Sequence, residues 1–385
     1  MTGFPLSDHD AQKVSDRLCQ LIANRIQEAG GCVPFSDYMQ WALYEPMLGY
    51  YAGGSSKLGK AGDFVTAPEL GDLFGRTLAR AIAPLLSQTD AQILELGAGT
   101  GRLAKTVLAE LDALGVRVRQ YGILELSGEL QFRQRRLLGK DNRVQWLSAL
   151  PETFSGIVIA NEVLDAVPVK LACLKNGVWH ERCVACQDGQ FRFKDCLASS
   201  VFLSQVAESL PQDIVLSALP EGYVTEIHPH ALGLIRSLAT MMATGKSAAV
   251  LVDYGFPAHE YYLPERTEGT LVCHYRHQVH DNPFYLPGLL DITAHLNFTA
   301  VAEKAEASGL DVLCYAGQAG FLMASGIMEL LPSMEKKDAV SARLVQEAMK
   351  LLSPAEMGEL FKVMVLGHDV QPSETLLQAD RSGRL

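Results

Sequence analysis

The chain lacks any surplus of positive charge. Its 385 residues hold 33 lysines and arginines against 44 aspartates and glutamates, a formal net charge of -11. That balance opposes nonspecific attraction to DNA, RNA or anionic membranes. The basic run Arg133, Arg135, Arg136 and Lys140 reads as a solvated helix face, and no nucleic-acid partner is expected. No apolar run approaches the roughly 20 residues that span a bilayer, so no membrane insertion is expected. Met1 to Asp10 carry two aspartates and no apolar stretch, unlike a signal peptide. The eight cysteines are sparse and irregular, as in a reduced, cytoplasmic protein. Cys173, Cys183, Cys186 and Cys196 show one close pair where a zinc site usually shows two, so no metal is expected. No internal repeat is present.

What is there is an ordinary globular composition, 48% hydrophobic and 20% charged. Residues 8–28 form an amphipathic helix with Val14, Leu18, Leu21, Ile22 and Ile26 on one stripe, Ser7 its cap. A short helix follows over 37–43, and 49–62 is a glycine- and lysine-rich loop. From Thr77 onward, short apolar strands alternate with helices: strands at 93–96, 118–124, 144–147 and 157–160, helices at 77–86, 101–114 and 130–138. This rhythm predicts a parallel sheet flanked by helices. After Val169 the turns Asn176-Gly177 and Asp188-Gly189 separate three strands, a meander inserted in the sheet domain. Helices are expected at 203–210, 231–242 and 298–308, and strands at 248–252 and 312–315. The chain thus reads as an N-terminal helical region (1–76), a sheet domain (77–327) with an insertion at about 170–245 and a long loop at about 255–290, and a helical C-terminal region (328–385) with a mobile end.

The strand at 93–96 runs directly into Gly97-Ala98-Gly99-Thr100-Gly101 and then a helix. Such a turn lets backbone approach a nucleotide, and the helix start offers unpaired amides. A dinucleotide fingerprint places its third glycine one residue later, where this chain has Arg102. Glu95 precedes the loop, and Glu125 ends the next strand. A cationic sulfonium with an amino group favours a carboxylate near the loop, and ribose hydroxyls require one on the following strand. S-adenosylmethionine satisfies both, and is the cofactor expected.

These segments resemble a family of bacterial proteins related to the mitochondrial complex I assembly factor MidA. The motifs are Leu48-Gly49-Tyr50-Tyr51, Gly62-Asp63-Phe64-Val65-Thr66-Ala67-Pro68-Glu69, Leu94 to Gly101, Ala160-Asn161-Glu162-Val163-Leu164-Asp165-Ala166-Val167-Pro168, Asp253-Tyr254-Gly255, and Pro287 to His295. Ala98 stands where the family often has proline. The resemblance implies an α/β class I methyltransferase sheet with an N-terminal helical region and an inserted α+β subdomain. It also implies that Asp63 and Thr66 close over the cofactor. Its mitochondrial members are regarded as protein arginine methyltransferases, so a protein acceptor is expected, with a small-molecule methyltransferase or a cofactor-binding assembly factor with little catalysis as the alternatives; a homodimer stays open.

With Asp63 and Thr66, the cofactor set is Glu95, Gly97, Ala98, Gly99, Gly101, Glu125 and Asn161. The acceptor site is expected at Glu162 and Asp165, which leave the C-terminal end of a strand and share a face if helical. A guanidinium is protonated and delocalised, so carboxylates would orient it and help remove a proton. Asp253 and Tyr254 are second candidates. Thr66 and Glu69 also fit a helix capping box. Two further patterns carry no site: Gly54 to Lys60 imitates a phosphate loop but Ala61 replaces its Ser or Thr, and His274, His277 and His280 would ligate metal only if helical.

Overall fold

The structure is a computed structural model that describes residues 9–53, 66–211, 218–276, 278–332 and 338–385. Asp63, His277, Ser7 and the Gly54 to Lys60 segment lie outside the described residues. The chain divides into two compact units that interleave in sequence. One gathers Met1–Phe64, Asp165–Gly233 and Phe256–Ala300; the other gathers Val65–Leu164, Leu234–Gly255 and Val301–Leu385.

The second unit is built on a sheet whose strands are β1 (Gln92–Leu96), β2 (Gln120–Leu124), β3 (Val144–Leu147), β4 (Gly156–Asn161), β5 (Ser247–Phe256), β6 (Asp311–Gly317) and β7 (Phe361–His368). They lie in the order β3-β2-β1-β4-β5-β7-β6. The first five pair in parallel, whereas β7 runs antiparallel to both β5 and β6. Strand order therefore reverses between β1 and β4. In open α/β sheets ligands bind at such a switch point, beyond the carboxyl ends of the strands.

Both faces of the inner strands are buried. Ile93, Ile123, Ile159, Val250 and Val365 join one core with helices Leu73–Leu86 and Arg102–Ala113. The alternate residues Leu94, Val158, Leu251 and Met364 are equally buried. Continuous apolar runs such as Ala248 to Val252 are what a doubly covered strand requires.

The other unit carries a five-stranded antiparallel sheet, which includes the expected meander Lys170–Lys175, Val178–Gln187 and Gln190–Leu197. Its turns place Asn176, Gly177, Asp188 and Gly189 all at positive φ, the conformation that two-residue hairpin turns demand. Helix His9–Glu28 buries Leu18, Ile22 and Ile26 against helix Phe35–Tyr44 and this sheet's Val184 and Leu171.

Two expectations fail. The segment 255–290 is not a plain loop: it holds helix Ala258–Tyr261 and strands Val272–Tyr275 and Gln278–His280, which form a three-stranded sheet with Asp291–Thr293. His274 and His280 therefore sit on a β-hairpin, not a helix. The C-terminal region is not all helical either. Its strand β7 is a full member of the main sheet, and the end is tied down, with Tyr315 N donating to Asp380 Oδ1 at 2.9 Å and Arg381 N to the Tyr315 carbonyl at 2.7 Å. The apolar run Val363 to Leu366 has no periodicity that separates strand from helix.

Because β7 fills the gap between β5 and β6, a chain ending at residue 360 should lose its cooperative fold. Soluble yield and thermal melting of the truncated chain test this; a native-like transition would show the strand to be dispensable.

Candidate functional site

The loop after β1 is shaped by backbone conformations that favour glycine. Gly97, Gly99 and Gly101 have φ of 60°, 52° and 84°. A Cβ on Gly97 would lie 3.1 Å from Val163, and one on Gly101 would press on Leu138 and Gln134. Helix Arg102–Ala113 begins at Gly101 with no side chain capping its first amides. The loop thus presents bare backbone beside an uncapped helix start, which a nucleotide-like ligand can approach closely. Ala98 is buried within it.

Glu125 stands at the end of β2. Ser127 N donates to its Oε1 at 3.0 Å and Gln134 Nε2 to its Oε2 at 3.1 Å. Burial pushes its carboxyl up from the ordinary value, opposed by those hydrogen bonds and one from Gly99. Gln134, fully buried, also donates to the Gly99 carbonyl at 2.9 Å and accepts from Trp146 Nε1 at 3.0 Å. The carboxylate and the glycine loop are thereby fixed to one another. Sequence reasoning passed over Gln134, whose helix Gly128–Leu138 otherwise reads as a charged surface helix.

Glu95 is buried beneath the loop and accepts from Tyr121 Oη at 2.8 Å. Burial raises its carboxyl to about 8, against the Tyr121 hydrogen bond, and the charge of Glu125 adds to the rise. It is held mostly neutral near pH 7, and a cation placed beside it would draw the proton off. These features fit S-adenosylmethionine: an open glycine turn, a fixed carboxylate on the adjacent strand, and a buried acid that a positive charge would ionise.

Thr66 precedes helix Ala67–Leu70, but its side chain makes no cap hydrogen bond. The capping box is not formed, because Glu69 Oε1 instead accepts from Thr100 Oγ1 at 2.5 Å. That contact joins the short helix to the glycine loop, as does Arg102, which reaches the Glu69 carbonyl at 3.3 Å and Asp72 Oδ1 at 3.0 Å.

At the end of β4, Asn161 Nδ2 donates to Glu162 Oε1 at 3.2 Å, and Asn161 Oδ1 is buried with no hydrogen-bond partner. Glu162 has φ 53°, a strained conformation for a residue with a long side chain. The expected helical turn is absent. Instead Asp253, at the neighbouring end of β5, accepts from Val163 N at 3.2 Å and Leu164 N at 2.9 Å. Asp253 holds the turn that presents Glu162.

Asp165 begins the other unit's second segment and is buried. Its carbonyl accepts from Ala294 N at 3.0 Å. Around it, Tyr44 Oη donates to the Ala166 carbonyl at 2.9 Å and stacks on Tyr51, whose hydroxyl donates to the buried Asp291 at 2.9 Å. Burial holds the Tyr51 hydroxyl well above the usual range, and the charges of Asp291 and Asp165 add to it. Tyr51 and Asp291 both lie in the quoted motifs, and nothing in their spacing says that they meet. Among the described residues no group of three or more His, Cys, Asp or Glu could hold a metal, and no helix is long and apolar enough to cross a membrane.

A family profile described as "Putative S-adenosyl-L-methionine-dependent methyltransferase" matches residues 77–316. A Danio rerio protein named protein arginine methyltransferase NDUFAF7, mitochondrial, is 30% identical over 382 residues, covering 87% of this chain and 83% of its own. The human protein of that name is 26% identical over 383 residues, covering 87% and 80%. A crystal structure of a Burkholderia thailandensis protein bound to S-adenosyl-homocysteine matches with TM-score 0.91 at 43% identity, covering 100% of both chains.

The Glu95 carboxyl supplies a test. Its folded value of about 8 lies above the roughly 4.3 of an unfolded glutamate. Its contribution to stability is therefore full below about pH 4.3 and fades as pH rises toward 8. The ligand-free Glu95→Gln variant, which cannot titrate there, should gain stability relative to the native chain by up to about 1.4 kcal/mol per pH unit across that window. Urea unfolding at several pH values measures the gap; parallel curves would mean that Glu95 is ionised in the folded state.

Proposed function

We propose, from the premise that the chain belongs to the family of S-adenosylmethionine-dependent methyltransferases, that its acceptor is an arginine of a protein. The methyltransferase activity and the cofactor follow from the family match and from the relative crystallised with S-adenosyl-homocysteine. The acceptor is our reading. It is supported by the protein arginine methyltransferase names of relatives aligned over most of both chains.

The observation that carries the cofactor assignment is Glu125, fixed beside the glycine loop by Gln134. Glu125 would take the ribose hydroxyls, Gly97, Ala98, Gly99 and Gly101 the nucleoside's close approach, and Glu95 the positive end. Asn161, Asp63 and Thr66 complete the set. When bound, S-adenosylmethionine supplies an activated methyl group on sulfur, open to direct displacement. The chain's own task is to orient the acceptor nitrogen and relieve it of a proton. A guanidinium needs both, since it is protonated up to a pKa above about 12. Glu162 and Asp165 are the residues proposed for this. The positive φ of Glu162 supports the assignment, because backbone strain on a non-glycine residue tends to persist where function requires it. All eight cysteines are free thiols, in keeping with a reducing cytoplasm. A homodimer is compatible with the proposal and is not required by it.

Glu125→Ala should weaken S-adenosylmethionine binding at least tenfold, the scale of about 1.5–3 kcal/mol for hydrogen bonds to a charged group. Titration calorimetry reads this, with NAD giving no heat; unchanged affinity would remove Glu125 from the cofactor site. Incubating lysate with methyl-labelled cofactor should label protein arginine, and Glu162→Gln or Asp165→Asn should cut the label by about 100-fold, within the range of a general base's contribution. Label confined to small molecules would overturn the protein acceptor, and full labelling by the Glu162→Gln variant would remove Glu162 from catalysis.

A further inference from the structure

Three thiols meet at the five-stranded sheet, Cys183 and Cys196 on adjacent strands and Cys32 far from both in sequence. Cys183 lies on strand Val178–Gln187, with Pro34 paired on one side and Lys194 on the other. Side chains alternate along a strand, so Cys196, two residues from Lys194, emerges on the same face as Cys183. Cys32 and Cys196 bring their sulfurs to 3.7 Å although 164 positions separate them. Cys183 is also within hydrogen-bonding reach of Cys196. Cys32 and Cys196 are half-buried, so a small oxidant can reach them, whereas Cys183 is buried.

We propose that Cys32 and Cys196 are an oxidation site that closes to a disulfide when the protein meets a hydroperoxide. One sulfur, as thiolate, attacks the peroxide oxygen and becomes a sulfenic acid while the O–O bond breaks and an alcohol or water leaves. The second thiol displaces the sulfenic hydroxyl, forming the S–S bond and releasing water. In total two thiols and one hydroperoxide give one disulfide, one alcohol or water, and one further water.

The sulfurs must approach from 3.7 Å to the roughly 2.05 Å of a disulfide. The backbone leading to Cys32 can supply that movement. Gly30 and Gly31 precede it at φ of 88° and 100°, and Cys32 lies outside the two-residue strand that begins at Val33. Burial raises the Cys196 thiol above its ordinary value, and the Cys32 contact raises it further. The reaction should therefore quicken from pH 7 to pH 9, as the thiolate becomes available. The bond would fasten the end of helix His9–Glu28 to the outermost strand, Gln190–Leu197, of the sheet.

The test exposes the reduced, full-length protein to one equivalent of hydrogen peroxide, blocks remaining thiols, and maps the unreduced digest by mass spectrometry. The Cys32–Cys196 crosslink should dominate, form several-fold faster in folded than in urea-unfolded protein, and reverse with dithiothreitol. Cys183→Ala should retain it. Cys32→Ser and Cys196→Ser should each abolish it while keeping the native circular dichroism spectrum. A dominant Cys183–Cys196 or intermolecular bond would overturn the proposal. So would conversion of these thiols to sulfinic acid without crosslinking, or equal rates in folded and unfolded protein.

Discussion

Gln134 has no exposed surface, and its side-chain amide ties three segments together: the glycine loop at Gly99, the carboxylate of Glu125, and the indole of Trp146 on β3. A buried amide left without partners costs about 1–3 kcal/mol per unmet group, so the three contacts hold as a set. Their consequence is positional. The loop after β1 and the acid after β2 belong to different strands, and this bridge fixes the one against the other. The Glu95–Tyr121 pair beneath adds a second constraint, an acid kept mostly neutral until a positive charge arrives.

A comparable device orders the turn after β4. Asp253 at the end of β5 collects the amides of Val163 and Leu164, and Glu162 is left in a conformation that it would not choose alone. The strain resides at the tip of β4, next to the crossover where strand order reverses.

Much of this was legible in the sequence, for physical reasons that differ by segment. The strand at Val144–Leu147 and the two Asx-Gly turns are local signals, and the structure matches them closely. The glycine loop was legible because left-handed backbone needs glycine in series. Strand β7 was not, because a doubly covered strand such as Val363 to Leu366 shows no alternation, and the helical pattern before it invites extension. Likewise the hairpin at Val272–His280 hides behind proline- and tyrosine-rich flanks. Tyr51 and Asp291 were missed as partners because a side-chain meeting across 240 residues leaves no spacing to read, and Gln134 because its helix reads as a charged surface helix.

The place of β7 in the sheet also bears on how the protein is made. Translation delivers β5 more than a hundred residues before its antiparallel neighbour. Through that interval one edge of an almost wholly apolar strand, Ser247–Phe256, awaits the partner that will cover it. Such an open edge is a template for pairing with another nascent chain. The sheet cannot close until β7 has emerged, and the cell's chaperones have that whole interval in which to guard the edge.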